Sequence, residues 1–170
     1  MAQVADTMDS SPTAGSGGRA VPDLASYGLS YARIMSYFLV KTHPDTYSVE
    51  DFRREGTTTW NGVTNAQAVA TIRTMRPGDG ILVYHSGGHS AIVGLAEVIS
   101  KPVQDAENQK SWVVDLRFRS LLSEPAPLSE IKATGLFNNW ALVRQGRLST
   151  MPVPDDFMAW LRLRYPLEKL

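Results

Sequence analysis

The stretch Ile81-Leu82-Val83-Tyr84-His85-Ser86-Gly87-Gly88-His89-Ser90-Ala91-Ile92-Val93-Gly94-Leu95-Ala96-Glu97-Val98-Ile99 sets two β-rich apolar runs on either side of a polar connection with two adjacent glycines. Branched and aromatic side chains suit a pleated, half-buried surface, and glycine supplies the backbone freedom a reversal needs. Residues 81–84 and 91–99 therefore read as the two strands of a β-hairpin. Upstream, residues 37–41 form a further strand-like run that Thr42-His43-Pro44-Asp45 breaks. Ser48-Val49-Glu50-Asp51 has a capping pattern and opens a short helix through about Arg54, ended by Gly56. Ala66, Val69, Ile72 and Met75 recur at helical spacing, which predicts a helix over 65–75 that Pro77-Gly78-Asp79 stops.

Downstream of the hairpin, Trp112, Val114, Leu116 and Phe118 alternate with Val113, Asp115 and Arg117, the pattern of a strand with one apolar face. Residues 128–134 read as a short helix closed by Gly135, residues 141–143 as a strand, and residues 155–163 as a final helix with Phe157, Trp160 and Leu161 inward. The total is about five or six strands with helices inserted between them. Regular strand-helix-strand units are missing, so the expected class is α+β, a small curved and mostly antiparallel β-barrel rather than a doubly wound sheet. Residues 1–25 are rich in Ser, Gly, Ala, Pro and Asp without helical or strand period and read as a flexible tail. The expected division is a tail over 1–34, one domain over 35–165 and a short C-terminal end over 166–170.

With 170 residues and 43% apolar content the chain can build one sizeable core. Its 17 basic residues balance its 17 acidic ones, so it lacks the overall positive field of a general DNA-coating protein, and any polyanion must be held locally. The absence of cysteine excludes disulfide frameworks, thiol catalysis and cysteine-ligated metals. No apolar run approaches the roughly 18 residues of a membrane span, and the opening residues lack a secretory signal pattern, so a cytoplasmic location is expected. A monomer without cofactor or metal is the accompanying expectation.

Three short motifs carry chemistry. Trp60-Asn61-Gly62-Val63-Thr64-Asn65 puts an indole and two amides around a glycine, which suits base stacking and base-edge reading; the plainer alternative is that Asn65 caps the helix and Trp60 fills core. Arg144-Gln145-Gly146-Arg147-Leu148-Ser149 puts two guanidinium groups and a hydroxyl around a glycine, a loop suited to clamping phosphate or, more plainly, a basic turn held in salt bridges. Tyr84-His85-Ser86-Gly87-Gly88-His89-Ser90 gathers polar side chains, but neither the zinc-protease pattern nor the serine-hydrolase elbow is present.

Taken in order, Tyr37-Phe38-Leu39-Val40-Lys41-Thr42-His43-Pro44, the Trp60 to Asn65 run, Tyr84-His85-Ser86, Ile92-Val93-Gly94-Leu95-Ala96-Glu97-Val98, Val113-Val114-Asp115-Leu116 and the run from Leu142 to Val153 strongly resemble the EVE domain family. The likeness extends from Tyr37 to Leu161. It implies a PUA-like fold and a pocket that accepts one flipped or unpaired base, modified cytosine or another modified base, in DNA or RNA, without cofactor or turnover. The family pattern transfers to Trp60, Gly62, Val63 and Asn65, to Tyr84, His85 and Ser86, and to Arg144, Arg147, Leu148 and Ser149. The expected pocket has Trp60, Tyr84 and Trp112 as apolar walls and Thr42, Asn65 and Ser86 at the base edges. Gly62, Val63 and His85 complete it, and Lys41, Arg144, Arg147 and Ser149 hold flanking phosphate. Where Lys41-Thr42-His43-Pro44 stands the family commonly has Lys-Ser-Glu-Pro; it commonly has Arg at Thr64 and an aromatic at Ala66. The competing readings are a small hydrolase or transferase acting on a modified nucleoside through His85, and a protein-interaction module.

Overall fold

The computed structural model describes residues 34–170, so nearly all of the expected tail lies outside the described residues. In chain order the elements are β1 (Tyr37–Thr42), α1 (Val49–Glu55), β2 (Thr57–Trp60), α2 (Ala66–Thr74), β3 (Gly80–His85), β4 (Ala91–Val98), β5 (Val103–Gln104), β6 (Trp112–Pro127), α3 (Leu128–Ala133), α4 (Ala141–Arg144), β7 (Thr150–Pro152) and α5 (Asp155–Arg164). The hairpin that organised the sequence is present: β3 and β4 pair antiparallel, from Gly80 opposite Glu97 to His85 opposite Ala91. Gly94 is a point of close approach within β4. A Cβ there would sit 3.0 Å from the Val49 side chain and 3.1 Å from the Ser120 carbonyl, so glycine allows α1 and β6 to pack onto the hairpin.

The strands form a seven-stranded sheet in the order β2-β6-β4-β3-β1-β7, with β5 added to β6. Only β1 and β3 run parallel; every other pair is antiparallel. β6 spans 16 residues and shifts register against β4 twice, between Ile92 and Gly94 and between Leu95 and Ala96. Such bulges bend a long strand and sharpen its twist, which lets β6 serve both β4 and β2 while the sheet curls. The curl carries Trp60 of β2 to Thr150 of β7, whose hydroxyl accepts the indole N–H at 3.0 Å. The sheet ends thus meet through one side-chain bond, and the curled sheet is a half-barrel whose strands bury apolar residues on both faces, Val40 and Val83 on one and Leu39 and Leu82 on the other.

Local chemistry explains the helices. Ser48 accepts the Asp51 amide on its hydroxyl while Asp51 accepts the Ser48 amide, a reciprocal cap for α1. Asn65 accepts the amides of Gln67 and Ala68 and starts α2. Two expectations need correction. The sheet has seven strands rather than five or six, because the Thr57-Thr58-Thr59-Trp60 run, the two-residue β5 and the three-residue β7 are short and alternate weakly. Residues 141–143 are helical, not a strand: the Val143 and Arg144 amides both bond the Trp140 carbonyl, and a three-residue apolar run has no period to tell the two apart. Residues 166–170 pack back on the domain, with the Glu168 carboxylate accepting the Ser123 amide at 2.9 Å and Leu170 against the core. Among the described residues no helix is long and apolar enough to cross a membrane.

Candidate functional site

β1 and β3 end side by side, Thr42 opposite His85, and the chain then turns over the end of the barrel toward α1. Alternation along β1 sends Val40 and Thr42 to the barrel interior and Lys41 to the outer face. Inside, Val40, Thr42, Tyr47, Phe52, Trp60 and Val83 are among the residues that line a narrow cleft. It holds about 10 Å³, room for about one water, so the cleft is closed. Its polar groups are engaged with one another. The Thr42 hydroxyl donates to the Tyr47 carbonyl at 2.5 Å, and the Tyr47 hydroxyl donates to Glu55 at 2.6 Å. Burial first, and then that carboxylate, push the Tyr47 phenol up to about 12. The segment 43–48, which joins β1 to α1, contributes Tyr47 and Ser48 to the lining.

The outer face supplies positive charge. The Lys41 ammonium donates to the carbonyls of Gln145 and Gly146 at 3.3 and 3.2 Å and lies 5.6 Å from the Tyr84 ring centroid. The Lys41 amide donates to the Ser149 carbonyl at 2.8 Å. Burial lowers the Lys41 pKa. Lys41 therefore staples the loop after α4 to the end of β1. Arg144 and Arg147 on that loop are exposed and form no ion pair among the described residues. The structure gathers Lys41, Arg144, Arg147 and Ser149 into one region around the end of β1.

The expected base pocket, by contrast, is divided. Thr42 and Trp60 face the cleft. Ser86 sits behind Thr42, donating its amide and its hydroxyl to the Thr42 carbonyl at 2.9 and 3.2 Å. Tyr84 is buried on the opposite strand face beneath Lys41, and burial raises its pKa. Trp112 lies under the Arg73 guanidinium, 4.8 Å from it, and does not line the cleft. Val63 is core, and Gly62 takes a left-handed φ of 74° in the turn into α2. Tyr47, Phe52 and Thr58 also line the cleft without having been expected there from the sequence, as does Ser48, expected only as a helix cap. An aromatic two residues after His43-Pro44-Asp45 and just ahead of the capping serine was the only available signal.

Asn65 and His85 each have a structural task. Because the Asn65 carbonyl oxygen caps α2, Asn65→Ala is expected to lose about 0.5–2 kcal/mol of stability, whereas Asn65→Asp keeps the cap and removes only the amide donor. Denaturant titration of both, with binding measured on Asn65→Asp, separates capping from base reading; equal stability of Asn65→Ala and wild type would refute the cap. The His85 Nε2 accepts the Val49 amide at 2.9 Å, so the neutral ring carries its proton on Nδ1 and holds the start of α1. Among the described residues no hydrogen bond or ion pair joins it to a carboxylate. Burial depresses its pKa below 6.5. A depressed histidine contributes stability that is present above its unfolded value and lost as the pH falls through the folded one. Between about pH 7.5 and 5 the wild type should lose stability relative to His85→Gln, read from denaturation midpoints; parallel profiles would show that the bond is immaterial.

A model of the EVE domain matches residues 36–163. Human thymocyte nuclear protein 1 is 26% identical over 172 residues, covering 78% of this chain and 76% of its own. A solved structure from Rhodopseudomonas palustris is 30% identical with a TM-score of 0.73, covering 80% of this chain and 97% of that one. The structure of the human protein in complex with DNA containing 5-methylcytosine is 24% identical with a TM-score of 0.70, covering 78% of this chain and 99% of that one.

Proposed function

The chain belongs to the EVE domain family, and on that premise we propose that it binds nucleic acid by taking one modified base, a modified cytosine foremost, into the cleft between Thr42 and Trp60. The observation that carries this reading is the adjacency of an interior cleft walled by an indole to an exposed loop whose two arginines have no acidic partner among the described residues. Stacking on Trp60 supplies affinity that does not depend on salt, the Thr42 hydroxyl meets the base edge, and Arg144 and Arg147 hold the flanking phosphates. The DNA complex of the human relative supports the ligand class. Extrusion of a base from a duplex costs a few kcal/mol, which favours single-stranded or mismatched targets. The proposed role is binding without turnover, in which His85 holds the start of α1.

The test is titration of matched short single strands, with and without one 5-methylcytosine, at several salt concentrations. The modified strand should bind more tightly; equal affinities would overturn the reading. Arg147→Ala should lower the slope of log affinity against log salt by about 0.7 to 1 and weaken both strands alike. An unchanged slope would remove Arg147 from the phosphate contacts.

A further inference from the structure

A second concavity lies around the other side of the same barrel end, between the β3–β4 hairpin and the turn from β6 into α3. It measures about 630 Å³, within the range of small-molecule sites. Val93, Pro125 and Leu128 give it an apolar floor, and His85, His89 and Lys132 stand at its edge. No aspartate or glutamate lines it. The Leu128 amide bonds the Ser90 carbonyl at 2.9 Å, so the two sides of the groove are tied together.

The groove and the base cleft lie on either side of the His85–Val49 contact. His85 borders the groove and accepts the amide of Val49, while Ser48, the residue before Val49, borders the cleft. The two sites are therefore linked through the His85–Val49 bond at the start of α1. An apolar floor with one lysine and no carboxylate at its rim fits a nucleotide: the flat base covers the proline and leucine, and the phosphate meets the Lys132 ammonium. We propose that this groove takes the nucleotide adjacent to the read base in the same strand, so that the domain recognises a dinucleotide step rather than a lone base. The inference rests on the base-reading function above, and it assigns to Lys132 and Pro125 a contact outside that cleft.

The experiment uses the full chain and short single strands carrying one 5-methylcytosine, with an abasic residue placed on either its 5′ or its 3′ side. The wild type should lose about fivefold or more in affinity for the abasic substitution on one side and little on the other, the scale of one lost stack. Lys132→Glu, and separately Pro125→Asp, change exposed side chains. Each should weaken the intact strand, keep the preference for the modified over the plain strand, and abolish the penalty of the sensitive abasic position. Indifference of the wild type to both abasic positions, or full binding by both variants with the modified-base preference intact, would overturn the groove while leaving base reading in place. A wild type without that preference would overturn base reading, and with it the register on which the groove depends.

Discussion

Truncating Phe157 to alanine is expected to lower stability by about 3–5 kcal/mol, the cost of removing a fully buried ring whose space cannot collapse. Phe157 is 0% exposed and touches three other rings, Phe137 at 5.0 Å, Trp140 at 4.4 Å and Trp160 at 5.4 Å between centroids. These contacts dock α5 against the segment that leads into α4. Each aromatic pair adds about 0.5–1.5 kcal/mol beyond the area it buries. Trp140 is also the residue whose carbonyl receives the first amides of α4 and whose indole N–H bonds the Pro152 carbonyl at 2.9 Å. Loss of Phe157 thus loosens the base of the Arg144–Ser149 loop as well as the core. Urea denaturation measures the effect, with Phe157→Leu as a partial restoration; a loss under about 1 kcal/mol for the alanine variant would show that the cluster repacks without it.

Replacing Trp60 by alanine should weaken a modified strand by about 1–3 kcal/mol and leave the salt slope nearly unchanged, because stacking releases few counterions. The same side chain closes the barrel through its N–H on Thr150, so Trp60→Ala also costs stability. Trp60→Phe separates the two roles. It keeps an aromatic face and removes the N–H, so it should lose about 1 kcal/mol of stability while retaining most of the affinity. Affinity measured on protein shown to be folded decides the matter: binding by Trp60→Ala equal to wild type would take the indole out of base recognition.

Much of the local structure is legible in the residues. The hairpin is written in two branched runs around Gly87-Gly88, the start of α1 in Ser48 and Asp51, and the start of α2 in Asn65. Each depends on groups within a few residues of one another, where side-chain chemistry acts directly on nearby backbone. The short elements β2, α4 and β7 are not legible in this way, because runs of three or four residues carry no period. The family motifs point to Trp60 and Thr42 and to the arginine loop, yet the same motifs also contain Tyr84, Val63 and Asn65, whose side chains serve packing and capping. A motif records which residue types occur together, and it does not say which of them face a ligand.

The sequence by itself determined where the chain turns, where its helices are capped and which strand faces are apolar. Only the tertiary structure decided that β1 runs parallel to β3, that Lys41 reaches Gln145 and Gly146, that His85 holds the start of α1, and that Trp60 meets Thr150 across the open edge of the sheet. These bonds join groups 36 to 105 residues apart. Local preference contributes nothing to the choice among such partners; it is made by the curl of the sheet and by the need to bury its inner face, which together set which distant backbone and side-chain groups arrive within bonding distance.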